Sequence, residues 1–121
     1  MQVVSDASGF KAAICYEEDQ SRVVADFRFS EAEKRFSSGH RELLSVHKMV
    51  EHWVHTRQMF ERQIYWMTDS MNVVSFLEKG SSKPHIQNVV FDLACNFSIL
   101  NTVVQPVHLY RSDVRIMEAD I

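Results

Sequence analysis

The N-terminal part of the chain alternates between apolar and polar side chains with a period of two, which is typical of half-buried β-strands. Gly9 and the polar segment 17–21 interrupt the alternation and are typical of tight turns. The pattern predicts three strands, over residues 2–8, 10–16 and 22–29. Because the turns between them are short, we expect the three strands to pair as an antiparallel meander.

Beyond this meander the apolar spacing changes to three and four residues, which is typical of amphipathic helices. We expect helices over residues 41–60, 70–78 and 85–100, and strands over residues 63–68 and 103–110. The resulting order is β-β-β-α-β-α-α-β. Strands that alternate with helices favour parallel pairing. The sequence therefore predicts a single α/β domain with a mixed five-stranded sheet flanked by helices.

Composition narrows the class of protein. The chain has 121 residues and a formal net charge of −3, whereas a domain that binds nucleic acid unaided is usually basic. No apolar run approaches the roughly 20 residues that span a bilayer, and the N-terminus does not resemble a signal peptide. We therefore expect an intracellular protein that does not associate with membranes, and we expect Cys15 and Cys95 to be buried free thiols.

Four carboxylates occupy positions that favour a metal site, namely Asp6, Glu42, Asp69 and Asp120. Asp6 lies within an apolar strand, Glu42 in the first turn of the long helix, and Asp69 at the end of the fourth strand. A carboxylate in apolar surroundings needs a compensating partner, and a hard divalent cation such as Mg²⁺ is one. A purely structural interpretation is also open. In that interpretation the negative charge of Glu42 near the helix N-terminus interacts favourably with the helix dipole, and Asp69 is a helix N-cap.

Four short motifs resemble the signature segments of retroelement ribonucleases H, in the family's order and over essentially the whole chain. They are Asp6-Ala7-Ser8, Arg41-Glu42-Leu43-Leu44, Thr68-Asp69-Ser70 and Glu118-Ala119-Asp120. The resemblance implies a ribonuclease H-like fold and hydrolysis of the RNA strand of RNA–DNA hybrids during reverse transcription. It also implies that the domain is excised from a larger polyprotein. Its partner there would be the polymerase domain of a reverse transcriptase. The two would act within a replication complex in the cytoplasm or nucleus.

The same resemblance implies two Mg²⁺ or Mn²⁺ ions as cofactors and assigns roles to residues. Asp6, Glu42 and Asp69 would bind one ion, and Asp6 and Asp120 the other. The predicted substrate contacts are Ser8, Ser70, Asn72 and Arg111. One departure from the family is the missing histidine in segment 110–118, where many relatives carry one that assists turnover.

Two other functions remain open. One is a catalytically weak or inactive scaffold of the same fold. The other is an integrase- or transposase-type nuclease, although these place their last carboxylate, a glutamate, on a late helix, so the Asp-Glu-Asp-Asp order favours ribonuclease H.

Several conspicuous side chains are assigned structural roles. We interpret His47, His52 and His55 of the long helix as partly exposed helix residues, because the pair His52 and His55 has no second pair of zinc ligands at a suitable spacing. Among the aromatic residues we expect Trp53 and Tyr65 to pack in the core and Trp66 or Tyr110 to lie at a surface.

Overall fold

A computed structural model describes residues 1–110. Its elements follow the predicted order and begin with the strands β1 (Gln2–Ala7), β2 (Lys11–Glu18) and β3 (Ser21–Arg28). The helices are α1 (Ser38–Thr56), α2 (Met71–Lys79) and α3 (Pro84–Leu100), and the remaining strands are β4 (Gln63–Thr68) and β5 (Val103–His108). The strands form one five-stranded sheet in the order β3-β2-β1-β4-β5. This arrangement confirms the predicted mixed sheet flanked by helices.

The meander is longer than the sequence suggested. β2 and β3 pair antiparallel from Lys11 opposite Arg28 to Glu18 opposite Ser21. Only Asp19 and Gln20 form the turn, with φ values of 51° and 65°. Two consecutive left-handed residues make the tight hairpin turn whose twist matches that of the strands. The predicted polar turn over residues 17–21 is therefore wrong at both ends, because two residues suffice to reverse the chain.

The helix α1 begins three residues earlier than predicted. The hydroxyl of Ser37 caps it by accepting a hydrogen bond from the backbone N–H of His40 at 3.3 Å. The helix ends at Thr56, and Arg57 follows in the left-handed conformation. Glu42 consequently lies in the second turn of α1 and not in the first, so the helix dipole acts on it less strongly.

The main core lies between the sheet and the helices. Trp53 of α1 packs edge-on against Trp66 of β4, with 5.8 Å between the ring centroids. Trp66 is fully buried and its indole N–H donates to the hydroxyl of Ser5 at 2.8 Å, whereas Tyr65 is 39% exposed. The expectations of a buried Trp53 and of an exposed Tyr110 are confirmed. The expectation of a buried Tyr65 was wrong, and Trp66 is not a surface residue, because the alternation of β4 points Trp66, and not Tyr65, toward the helices.

The opposite face of the sheet carries a smaller apolar cluster formed by Val4, Cys15, Met67 and Leu109. Both cysteines are free, but only Cys15 is buried. The prediction of a buried Cys95 was wrong, since it lies on the exposed side of α3. Among residues 1–110, no helix combines the length and apolar character needed to cross a membrane.

Candidate metal centre

Two neighbouring parallel strands bring Asp6 and Asp69 to the same end of the sheet. β1 pairs with β4, and Val4 lies opposite Met67 in the register. Asp6 follows Val4 by two residues and Asp69 follows Met67 by two. Because the two strands are parallel and in register, both aspartates lie at the C-terminal ends of β1 and β4, next to each other in the sheet. Both are partly buried.

Glu42 approaches these aspartates from α1. Burial is the largest influence on its carboxyl group and raises its pKa, and the nearby carboxylates of Asp69 and Asp6 raise the pKa further. A hydrogen bond with Ser70 and the charge of Arg41 act in the opposite direction, but the net pKa is raised. Three acids from β1, α1 and the end of β4 therefore share one electrostatic environment.

Ser70 connects the strand end to the helix that follows. It is the N-cap of α2, and its hydroxyl oxygen accepts a hydrogen bond from the backbone N–H of Val73 at 3.2 Å. The same side chain is hydrogen-bonded to Glu42. A hydroxyl can accept one hydrogen bond and donate another, so a single serine caps α2 and holds the Glu42 carboxylate. The alternative interpretation of Asp69 as the N-cap was wrong, because Ser70 occupies that position.

The other predicted substrate-contact residues have different environments. The hydroxyl of Ser8 is engaged in the turn between β1 and β2, where it donates to the carbonyl oxygen of Lys11 at 3.2 Å. Asn72 is exposed in the first turn of α2, and its side chain lies against Gly39 of α1, where a Cβ atom would come within 3.0 Å of it. Arg111 and Asp120 lie outside the described residues.

The three described acids have the chemistry of a hard-cation site. Their donors are all carboxylate oxygens, which Mg²⁺ and Mn²⁺ prefer. The raised pKa of Glu42 reflects its burial first and the negative charges of Asp69 and Asp6 second, and a divalent cation would favour the ionised form against both. The donor chemistry of Asp6, Glu42 and Asp69 therefore suits the implied metal, although the ligand atoms that lie within 4.8 Å of one another in the described part of the chain belong to a different group.

A second group of metal-ligating side chains lies elsewhere, on α1 and α3. His47, Glu51 and Asp92 place three possible ligand atoms within 4.8 Å of one another. His47 was interpreted from the sequence as a partly exposed helix residue, and its grouping with Asp92 was missed because Asp92 is 45 residues away along the chain. The i, i+4 spacing of His47 and Glu51 was the one signal available in the sequence.

Comparison with known proteins identifies the fold. No family model and no curated protein matches the chain. Among solved structures, LC11-RNase H1 in complex with an RNA/DNA hybrid matches with a TM-score of 0.73 at 14% identity, over 98% of this chain and 90% of that one. The fold is ribonuclease H-like. RNase H1 from Halobacterium salinarum NRC-1 matches with a TM-score of 0.69 at 15% identity, over 98% and 90% of the two chains.

A viral protease-reverse transcriptase matches the same fold within a larger chain. The foamy viral protease-reverse transcriptase in complex with dsDNA matches with a TM-score of 0.57 at 15% identity. The match covers 88% of this chain and 23% of the viral one. The structural neighbours thus include both stand-alone ribonucleases H and a reverse transcriptase.

Proposed function

We propose that the domain hydrolyses the RNA strand of RNA–DNA hybrids, with two divalent cations bound by Asp6, Glu42, Asp69 and Asp120. The observation that carries the proposal is the convergence of Asp6, Glu42 and Asp69 in a ribonuclease H-like fold. Two hard cations at such a site supply an activated water and stabilise the charge on the leaving oxygen.

The protein's own contribution is to hold carboxylates of like charge in fixed positions. Asp6 belongs to a central strand and Asp69 follows its neighbour in the sheet, so the backbone that carries both is rigid. The Ser70 hydrogen bond favours the ionised form of Glu42, which is the form that binds a metal. Partial burial of the three acids limits access of bulk water and so strengthens their electrostatic effect.

Substrate affinity has a separate origin in this proposal. The chain is acidic overall, and the hydroxyls of Ser8 and Ser70 already have partners within the protein. Exposed Asn72 is the described polar side chain best placed for a contact to the hybrid backbone, with Arg111 as its proposed counterpart. We infer that much of the affinity comes from a neighbouring domain, which for a retroelement would be the polymerase domain of the reverse transcriptase.

The foamy viral neighbour supports this arrangement by analogy, since one of its structures is a protease-reverse transcriptase in complex with an RNA/DNA hybrid. A retroelement origin, excision from a polyprotein and action within a replication complex in the cytoplasm or nucleus belong to the same proposal.

Substrate class and metal requirement are tested together. Purified protein is incubated with end-labelled RNA–DNA hybrid, RNA duplex, DNA duplex or single-stranded RNA of the same sequence, in Mg²⁺, Mn²⁺ or EDTA. We expect cleavage of the RNA strand of the hybrid alone, and only with a divalent cation. Cleavage of DNA would instead favour an integrase- or transposase-type nuclease, and no cleavage of any substrate by the full polyprotein would favour a scaffold.

A further inference from the structure

Three side chains converge on one point between α1 and α3, away from the carboxylates of the candidate metal centre. The Nε2 atom of His47 lies 2.5 Å from Oδ2 of Asp92 and 3.0 Å from Oε1 of Glu51. A protonated ring nitrogen has one hydrogen to donate, so it can satisfy only one of these two carboxylates fully. A histidine nitrogen and two carboxylate oxygens that face one another are a ligand set for a metal ion.

The charges of this group are not balanced by the rest of the described structure. Within residues 1–110, neither Glu51 nor Asp92 has a lysine or arginine within ion-pair distance, and His47 is the only basic partner of both. Lys48, the nearest lysine in sequence, pairs instead with Glu33 at 3.1 Å. Two carboxylates that share one imidazole leave an excess of negative charge, which a divalent cation would neutralise.

The supporting backbone suits a metal site. His47 and Glu51 are one turn apart in the interior of α1, a spacing that places both side chains on one face. Asp92 lies in the middle of α3, which is also a regular helix. Zinc bonds of about 2.0–2.2 Å separate tetrahedral ligands by about 3.3–3.6 Å, so the two distances from Nε2 of His47 need to open by about 1 Å or less.

Exposure leaves room for a further ligand. The His47 side chain is 18% exposed, whereas those of Glu51 and Asp92 are 52% and 54% exposed. The histidine is thus anchored between the helices while the carboxylates face solvent. A water molecule could complete four-coordination from the solvent side.

We propose that His47, Glu51 and Asp92 bind one zinc ion that joins α1 to α3. The imidazole ligand distinguishes the metal preference of this site from that of the candidate Mg²⁺ centre, whose described ligands are all oxygens. At 100° per residue, His47 lies roughly 140° around α1 from Glu42, so the two sites use different sides of the same helix.

Zinc titration by calorimetry tests the proposal, with excess Mg²⁺ present to occupy the all-oxygen site. The wild type should bind one zinc per chain, and H47Q, E51Q and D92N should each weaken that binding by at least about tenfold, since even outer-sphere changes cost a metal site roughly 10–100-fold. E51Q leaves the His47–Asp92 contact in place, so it keeps the test meaningful if another variant fails to fold. H52Q, which alters an exposed histidine of the same helix, is the matched control and should bind like the wild type.

Thermal melting with and without zinc is a second test. If His47 were only hydrogen-bonded to the two carboxylates, zinc would not raise the melting temperature through this site. At a tenfold excess of free zinc over Kd, the wild type and H52Q should melt about 5 °C higher than without zinc, and the three site variants should not. The proposal is overturned if the wild type shows no saturable zinc binding, if H47Q and E51Q bind zinc as tightly as the wild type, or if H52Q loses the site.

Discussion

At the scale of single residues, Glu42 is the clearest case of a negative charge at the candidate centre that lowers the stability of the fold. Its carboxyl is partly buried beside Asp69 and Asp6, and its pKa is raised above the ordinary value of 4.5. A carboxyl group whose folded pKa exceeds its unfolded pKa contributes stability below the unfolded pKa and loses it as pH rises through the folded pKa. At neutral pH and without metal, the ionised form therefore destabilises the fold.

The variant E42Q tests this charge. In EDTA at pH 7, we expect E42Q to melt a few degrees above the wild type, a modest gain because solvent screens a partly exposed carboxylate. The difference should shrink as pH falls toward 4.5. With Mg²⁺ present the order should reverse, because only the wild type can bind the ion fully. E61Q, at an exposed glutamate, is the control and should leave melting unchanged in all conditions.

Ser70 caps α2 and is hydrogen-bonded to Glu42, and these two roles can be separated by comparison with Ser37, which caps α1. Replacing an N-cap serine with alanine costs about 1 kcal/mol, so S70A and S37A should lose similar stability. Only S70A also removes the hydrogen bond that lowers the pKa of Glu42, so only S70A should shift the acidic limb of the activity profile to higher pH. Equal pH profiles for the two variants would mean that Ser70 acts as a cap alone.

At the scale of elements, hydrophobic periodicity predicted every strand and α-helix of the described chain, because each of these elements buries one face, but it did not predict the short 3-10 helix Glu33–Arg35, which has no buried residue. The boundaries were less predictable. The segment 37–40 has the polar, glycine-containing composition of a loop, yet Ser37 caps the helix and residues 38–40 form its first turn. The burial of Trp66 and the exposure of Tyr65 were reversed, because a short apolar strand gives little indication of which face is covered.

The candidate centre was only partly predictable from the sequence. Short motifs indicated Asp6, Glu42 and Asp69 as candidate ligands, but the role of Ser70 depends on the tertiary approach of α1 to the start of α2. The group formed by His47, Glu51 and Asp92 depends on the packing of α1 against α3. Long-range pairings of this kind leave no periodic trace in a single sequence.

The contact between β1 and β4 gives a prediction about the sheet that positions both aspartates. Ser5 is 3% exposed and accepts the indole hydrogen of fully buried Trp66. We expect S5A to lower the free energy of unfolding by about 1–3 kcal/mol, because it leaves a buried donor without a partner. In W66F the donor is absent, so adding S5A should cost clearly less in chemical denaturation. Additive losses in the double variant would contradict the proposed bond.

At the scale of the whole molecule, the structure combines a ribonuclease H-like fold, a group of three converging acids and an acidic net charge of −3. Phosphate neutralisation supplies much of the affinity of nucleic-acid binders, so this composition favours a domain that performs chemistry and obtains part of its affinity elsewhere. Weak substrate binding by the isolated domain and the proposed hydrolysis are compatible, since they depend on different groups.

The most direct test of the proposed function compares D69N with D19N in the rate of RNA cleavage within an RNA–DNA hybrid at saturating Mn²⁺. Both variants replace one aspartate by its neutral isostere, but Asp19 is an exposed residue of the β2–β3 turn, at the other end of the sheet from Asp6. We predict that D69N cleaves at least about 100-fold more slowly than the wild type, in line with the loss of an electrostatic group at an active site, and that D19N cleaves at the wild-type rate. Equal cleavage by D69N and the wild type would contradict the account.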